Sequence, residues 1–125
     1  MFSTSKPSIL IVDDDPSILH VFTRIFERHG YCVAVAENGK EAIEKLNTKR
    51  YDVALVDFVL PDMEGTALFP LIKNSSTRTL RIMLSGNVCF GHDVKGADVF
   101  VAKPVNPIKL LNIIDTKLKN RDSET

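Results

Sequence analysis

Short apolar runs alternate along this chain with segments whose apolar residues recur every three or four positions. Residues 8–12 read Ser-Ile-Leu-Ile-Val, an apolar and largely β-branched run typical of a strand buried on both faces. Asp15 and Pro16 follow and predict a helix start, because Asp caps helices and Pro fits the first helical position. Apolar residues then recur at helical spacing until Gly30. The alternation favours a fold in which strands and helices succeed one another.

The same alternation continues to the end of the chain. Pro70 is expected to kink the third helix or make it irregular. Further elements are predicted as strands at 31–36, 51–57, 80–84 and 98–102, and as helices beginning at 38–39, about 66 and 107. Five strands alternating with helices predict an α/β fold: a doubly wound, five-stranded parallel sheet with right-handed crossovers and helices on both faces.

One connection departs from this pattern. Residues 86–97 contain three glycines and show little helical periodicity. Parallel strands need about 10–12 residues for a whole crossover, so we expect at most a short or distorted fourth helix there. The polar tail at 120–125 is expected to fray. The chain therefore reads as a single domain over residues 1–125, with its core at about 8–119.

Composition narrows the class of protein. Of the 125 residues, 44% are apolar and 26% are charged, and the formal net charge is zero. That balance gives no bulk attraction to nucleic acid or to an anionic membrane, and no apolar run approaches the ~20 residues of a membrane span. Cys32 and Cys89 lie far apart and outside any CxxC pattern, and no signal peptide opens the chain. We expect a small cytoplasmic globule.

Polar residues collect where the predicted strands end. Asp13 and Asp14 follow the first strand, Asp57 ends the third, Ser85 follows the fourth and Lys103 follows the fifth. Ligands bind at this carboxyl edge of an open α/β sheet, so these side chains are the candidate site. Simpler roles compete with this interpretation at two positions: Asp15 is expected to cap a helix, and the Ser85 hydroxyl could cap a turn.

The types of residue at these positions suggest a chemistry. Three carboxylates that converge in a partly dry pocket repel one another unless a hard divalent cation lies among them. Mg²⁺ prefers oxygen ligands and keeps places for water and phosphate oxygens. Lys103 offers a compact positive charge suited to phosphate, and Ser85 offers a hydroxyl donor. A carboxylate nucleophile, a metal cradle, an ammonium and a hydroxyl together fit phosphoryl transfer.

With these residues in view, the sequence resembles the receiver domain of two-component response regulators over residues 9–118. The motifs that carry the resemblance are Ile-Leu-Ile-Val-Asp-Asp-Asp-Pro at 9–16, Asp57 with Leu-Pro-Asp-Met-Glu-Gly at 60–65, Ser-Gly at 85–86 and Gly-Ala-Asp-Val-Phe-Val-Ala-Lys-Pro at 96–104. Each motif alone is weak, whereas all four in order at strand ends are specific. The resemblance implies the flavodoxin-like strand order 2-1-3-4-5.

The resemblance also implies roles for the acidic residues. Asp57 would be the phosphoacceptor, attacking the phosphohistidine of a sensor histidine kinase or a phosphotransfer protein. Asp13, Asp14 and Asp57 would hold Mg²⁺ together with the backbone carbonyl of Val59. Asp62 and Glu64, in the loop after Asp57, are expected to be solvated.

Three further residues receive roles from the resemblance. Lys103 would pair with the phosphoryl group and be joined to Pro104 by a cis peptide. Ser85 would be the switch hydroxyl that swings toward the phosphoryl oxygens, and Phe100 the aromatic that turns inward with it. An aromatic in a final strand can equally be a core residue, so both interpretations of Phe100 stay open.

The resemblance implies a signalling domain that catalyses only its own phosphoryl transfer and dephosphorylation. Its partners would be the phosphodonor and a downstream effector protein or domain, with no direct nucleic acid and no membrane. The alternative is a receiver-like interaction module that works without phosphorylation, which the shortened connection at 86–97 would permit. A redox or hydrolytic enzyme is disfavoured, because the chain has no glycine-rich phosphate loop after the first strand, no Ser-His-Asp set and no CxxC. The sequence leaves open whether this is a stand-alone regulator or one domain of a longer protein.

Overall fold

The computed structural model describes residues 6–75, 78–86 and 96–123. Within these residues the strands are β1 Ser8–Val12, β2 Cys32–Ala36, β3 Val53–Asp57, β4 Leu80–Ser85 and β5 Val99–Ala102. The α-helices are α1 Pro16–Arg28, α2 Gly39–Leu46, α3 Phe69–Ser75 and α4 Pro107–Ser123, and a 3-10 helix covers Gly65–Leu68. Strands and helices therefore alternate as the apolar pattern predicted.

All five strands pair in parallel in the order β2-β1-β3-β4-β5. The two central strands β1 and β3 are buried along their whole length, which explains why their sequences are continuous apolar runs. The predicted doubly wound α/β fold is confirmed, as is its strand order. Because the order reverses direction between β1 and β3, the carboxyl ends of these two strands flank a crevice.

Helices cover both faces of the sheet because successive side chains of a strand point to opposite faces. Ile9 and Ile11 of β1 pack with α1 and α4, whose buried residues include Phe26 and Ile114. Leu10 and Val12, on the opposite face, pack in the cluster that contains the buried residues of α2, α3 and the 3-10 helix. Two apolar layers thus hold the sheet and fix where its strand ends lie.

The third helical segment is irregular, as Pro70 suggested. The chain forms the 3-10 helix Gly65–Leu68 and then enters α3, where Pro70 is the second residue. A proline is tolerated in the first helical turn, because the N–H groups there have no partner within the helix. Pro70 therefore marks the change from one helix type to the other and does not kink the middle of a single helix.

The end of the chain differs from the sequence-based expectation. The polar tail was expected to fray from Asn120, whereas α4 is helical up to Ser123, beyond the predicted core at about 8–119. Fraying of this tail stays a prediction. Lys117, Lys119 and Arg121 stand in the last two turns, where positive charge favours a helix carboxyl end. The first turns of α4 pack into the core through Leu110, Leu111 and Ile114, and the helix continues from there into the polar segment.

Most of the connection at 86–97 lies outside the described residues, since these stop at 86 and resume at 96. The predicted short or distorted fourth helix therefore stays a prediction. In the part of the chain that the structure describes, no helix combines the length and the apolar character needed to cross a bilayer.

Candidate functional site

Four strand ends bring their polar residues to one edge of the sheet. Asp13 directly follows β1, Asp57 ends β3, Ser85 ends β4 and Lys103 directly follows β5. The Lys103 ammonium forms salt bridges with both Asp13 and Asp57, since its Nζ lies 2.8 Å from Asp13 Oδ2 and 3.3 Å from Asp57 Oδ2. Residues far apart in sequence thus meet at the carboxyl edge of the parallel sheet.

The backbone around Asp13 holds its carboxylate in place. The Asp13 N–H donates to the Ala36 carbonyl at the end of β2, and Asp13 Oδ1 accepts the N–H of Asp15 at 2.9 Å. Asp15 in turn caps α1, because its Oδ1 accepts the Ser17 N–H at 2.9 Å. The predicted capping role of Asp15 is confirmed, and it leaves Asp13 and Asp14 available for the site.

Three carboxylates form a compact acidic cluster. One oxygen each of Asp13, Asp14 and Asp57 lies within 4.8 Å of the other two. Asp13 is fully buried and Asp57 is 7% exposed, whereas Asp14 faces solvent. Burial raises the pKa of Asp57, and the nearby charge of Asp13 raises it further, although Lys103 and the Val59 N–H oppose the shift. The pocket therefore disfavours the ionised form of Asp57.

Lys103 is the counter-charge of this cluster. Burial by itself would lower the pKa of its ammonium, but the hydrogen bond and the charge of Asp13, together with those of Asp57, outweigh burial and raise it. Lys103 is thus firmly cationic at neutral pH. One ammonium offsets only one of three carboxylates, so the ionised site keeps two negative charges in excess.

The donor set fits a hard divalent cation. The three side chains of the cluster offer carboxylate oxygens, the negative charge in excess is that which a divalent ion neutralises, and the oxygens are close enough to share one centre. The residues present therefore make an acidic pocket of the kind that holds Mg²⁺ or Ca²⁺. Burial raises the pKa of Asp57 most and the charge of Asp13 adds to it, and a bound cation would offset both effects.

The other predicted site residues have distinct surroundings. The Val59 N–H donates to the Asp57 carboxylate, while the Val59 side chain is 60% exposed. Ser85 is buried, and its backbone carbonyl accepts the Lys103 N–H at 2.8 Å. The Lys103–Pro104 peptide bond is cis, the geometry that the resemblance implies.

Phe100 lies beside the site on the edge strand β5. Its ring is 40% exposed, whereas its neighbours Val99 and Val101 pack against the apolar cluster on the other face of the sheet. Phe100 pairs in register with Met83 of β4. An outward, half-exposed ring is compatible with a side chain that can move inward, and the switch role stays a prediction.

One residue of this region has a role that the sequence did not suggest. Asp62 was expected to be solvated, and its side chain is exposed, but both its oxygens accept backbone N–H groups at the start of α2. These partners, Gly39 and Lys40, precede it by 23 and 22 residues. A local motif could not reveal this contact, because it depends on how α2 packs beside the loop.

Comparison with known proteins points to one family. A family model described as the response regulator receiver domain matches residues 9–115. The chain is 30% identical over 126 residues to the DNA-binding response regulator MtrA of Mycolicibacterium smegmatis, covering 97% of this chain and 54% of that protein. It is also 30% identical over 129 residues to the transcriptional regulatory protein ResD of Bacillus subtilis, covering 100% of this chain and 53% of that one. The chain spans about half the length of these two relatives.

Solved structures give the same picture. A CheY-like response regulator receiver domain protein from Methanospirillum hungatei superposes with a TM-score of 0.90 at 38% identity, covering 97% of this chain and 100% of that one. A response regulator protein from Burkholderia pseudomallei, solved with a phosphorylated aspartic acid, a calcium ion and citrate, superposes with a TM-score of 0.81 at 25% identity. That match covers 94% of this chain and 72% of the other.

Proposed function

The chain belongs to the response regulator receiver domains, and we propose that it accepts a phosphoryl group on Asp57 with the help of Mg²⁺. The family signals through phosphorylation in two-component systems. Lys103 contacts two carboxylates, since its Nζ lies 3.3 Å from Asp57 Oδ2 and 2.8 Å from Asp13 Oδ2. The observation that carries the choice of Asp57 is its exposure, because Asp57 is 7% exposed whereas Asp13 is fully buried. This arrangement puts a nucleophilic carboxylate beside the cation that its phosphoryl group would need.

The proposed reaction is a direct transfer between two side chains. A carboxylate oxygen of Asp57 attacks the phosphorus of a partner's phosphohistidine, forming a P–O bond while the P–N bond breaks. The electron pair of that bond leaves with the imidazole, which takes a proton from solvent. Lys103 neutralises charge on the phosphoryl oxygens in the transition state and in the aspartyl phosphate. Hydrolysis of the same acyl phosphate would return the carboxylate.

Asp13, Asp14 and Asp57 would hold the Mg²⁺, with the Val59 backbone carbonyl as a further ligand. When bound, this ion supplies charge neutralisation at the phosphoryl oxygens. Val59 faces Glu64 in an isolated antiparallel bridge, in which Leu60 and Phe58 make the flanking hydrogen bonds. In such a pairing the N–H and C=O of one residue point to the same side, and the Val59 N–H reaches Asp57. We therefore expect its carbonyl to point toward the acidic cluster as well.

Phosphorylation would alter the surface through Ser85 and Phe100. An aspartyl phosphate carries about −1.5 to −2 charges in place of the single negative charge of the carboxylate, and it offers new acceptor oxygens. Ser85 ends β4, the strand that pairs with β3 and follows it in the sheet, and we expect its hydroxyl to approach those oxygens. Phe100, half-exposed on the edge strand, would turn inward as that region repacks. The output is a population shift that changes affinity for a downstream effector protein or domain.

We also propose the partners. An apolar cavity of about 310 Å³ opens beside the site, lined by Ile18 and Phe22 of α1 and by Pro104 and Val105 after β5. An apolar surface next to the reactive groups suits a protein phosphodonor, that is, a sensor histidine kinase or a phosphotransfer protein. We place this exchange in the cytoplasm, because the exposed free thiol of Cys32 suits a reducing compartment. Direct contact with nucleic acid or with a membrane is not part of the proposal.

Intact-mass measurement tests the proposal. Wild-type protein incubated with Mg²⁺ and acetyl phosphate should gain one phosphoryl group, and the same mixture with excess chelator should gain none. Asp57→Asn should stay unmodified, whereas Glu64→Gln, which removes an exposed carboxylate of the adjacent loop, should be modified like wild type. Absence of any adduct on the wild type would favour the alternative, an interaction module that works without phosphorylation.

A further inference from the structure

Backbone hydrogen bonds connect the two ends of the loop between Asp57 and the 3-10 helix. The Gly65 N–H donates to the Phe58 carbonyl at 2.7 Å, and the Leu60 N–H donates to the Met63 carbonyl at 3.1 Å. Gly65 also lies so close to the backbone of Asp57 that an added Cβ would stand 2.0 Å from its carbonyl oxygen. A displacement at the tip of this loop is therefore passed to Asp57 and to the residues that follow it.

The tip of the loop is fixed to α2 at one point. Asp62 Oδ1 accepts the Gly39 N–H at 2.8 Å, and Asp62 Oδ2 accepts the Lys40 N–H at 3.0 Å. Met63 lies directly against the same place, since a Cβ on Gly39 would stand 2.3 Å from its sulfur. A carboxylate and a thioether from adjacent residues thus hold the loop against the first turn of the helix.

The helix start does not need Asp62 as its only cap. Asn38 already serves as the N-cap, because its side-chain oxygen accepts the Glu41 N–H at 2.8 Å. The Gly39 N–H lowers the pKa of Asp62, and the Lys40 N–H adds to this effect, so the carboxylate is ionised and accepts both bonds at neutral pH. What Asp62 contributes beyond capping is the connection between α2 and the loop that leaves Asp57.

We propose that Asp62 is a positioning residue for the acidic site: its two bonds to the start of α2 hold the loop that carries Val59 beside Asp57, and thereby set the affinity for a divalent cation. The inference rests on the proposed function, since it assumes that the cluster binds Mg²⁺ with the Val59 carbonyl as a ligand. Asp62 itself touches neither the ion nor the phosphoryl group.

Calorimetric titration of the full chain with MgCl₂ tests this role. Asp62→Ala should raise the Mg²⁺ dissociation constant about tenfold, the low end of what loss of a supporting contact costs a metal site. Asp62→Asn keeps one acceptor oxygen and should restore part of the affinity. The rate of acetyl phosphate labelling at Mg²⁺ well below saturation should fall in the same order.

Two control variants separate positioning from other effects. Asn38→Ala removes the local cap of α2 and should lower the melting temperature while leaving the Mg²⁺ dissociation constant unchanged. Glu64→Gln removes one charge from the same loop without touching α2, so it reports the purely electrostatic contribution of a loop carboxylate.

Three results of the Mg²⁺ titrations would contradict the positioning role of Asp62. A dissociation constant for Asp62→Ala equal to that of wild type would overturn the positioning role and leave the proposed function intact. An equal loss of affinity in Asn38→Ala or Glu64→Gln would overturn it as well, because helix stability or loop charge would then explain the effect. Wild-type protein that binds no Mg²⁺ would overturn both this inference and the proposed function.

Discussion

At the scale of single residues, Asp57 lies in surroundings that disfavour an ionised carboxylate. It is 7% exposed, it shares a pocket with the fully buried Asp13, and one ammonium serves both. Burial and the charge of Asp13 raise its pKa. The ionised form of Asp57 is therefore disfavoured in the folded protein, and the proposed cation would stabilise that form on binding.

Because the ionised Asp57 carboxylate is unfavourable in the folded state, replacing it with a neutral side chain should stabilise the fold. In the presence of chelator at neutral pH, Asp57→Asn should increase the free energy of unfolding by about 1 kcal/mol or more, because the amide relieves the repulsion without changing side-chain size. Urea unfolding of the two proteins measures the difference. A variant less stable than wild type in chelator would contradict the account of the pocket. Added Mg²⁺ should reduce this difference in the free energy of unfolding, because Mg²⁺ binding stabilises the wild type more than the variant.

The difference in the free energy of unfolding between Asp57→Asn and wild type should depend on pH in a defined direction. The folded-state pKa of Asp57 lies above its unfolded value of 3.8, so folding disfavours the ionised form. The penalty is absent well below pH 3.8, where the carboxyl is neutral in both states; it grows as the pH rises from 3.8 toward the folded-state pKa and is complete above that pKa. In chelator, the stability difference between Asp57→Asn and wild type should therefore vanish in acid and be full at neutral pH. A stability difference that grows as the pH falls would contradict this prediction.

At the scale of elements, the loop after β3 is packed too tightly to accept a larger residue at Gly65. A Cβ there would stand 2.0 Å from the Asp57 carbonyl oxygen and 2.8 Å from a methyl group of Val56. Gly65→Ala should therefore destabilise the fold by about 1–3 kcal/mol, as overpacking does in cores, and should weaken Mg²⁺ binding because the loop must shift. Thermal melts with and without Mg²⁺ measure both effects.

Gly86 provides the matched control for that substitution. Among the residues that the structure describes, none has an atom within 4 Å of a Cβ built on Gly86 beyond its chain neighbours, and the φ of Gly86 is not positive. Gly86→Ala should change stability by no more than about 0.5 kcal/mol. Equal losses in the two variants would show that close approach of the loop to Asp57 is not what constrains Gly65.

The elements that could be predicted from sequence are those whose signals are local. The β1 strand is a continuous apolar run because helices cover both faces, and α1 begins where Asp15 caps it and Pro16 fits its first position. The extent of α4 beyond residue 119 was not predicted, because its polar last residues were taken for a tail. The contact of Asp62 with Gly39 was missed because it joins two elements whose packing no local pattern encodes.

At the scale of the whole molecule, the order of the strands assembles the site. β1 and β3 are neighbours in the sheet, so Asp13 and Asp57 must emerge side by side, and β4 and β5 extend the same edge toward Lys103. The sequence could predict that these residues share an edge, because parallel strands end together. It could not predict that Lys103 bonds Asp13 more closely than Asp57, since that depends on sheet twist and on the path of the chain after β5.

The measurement that tests the central claim most directly is the position of the phosphoryl group on the chain. After reaction with Mg²⁺ and acetyl phosphate, borohydride reduction would convert an aspartyl phosphate to homoserine, which peptide mass spectrometry locates. We predict homoserine at position 57 in the Mg²⁺ sample and none in the chelator sample. Reduction at any other acidic residue, or equal labelling without Mg²⁺, would contradict the proposal that four strand ends build one cation-dependent phosphoacceptor site.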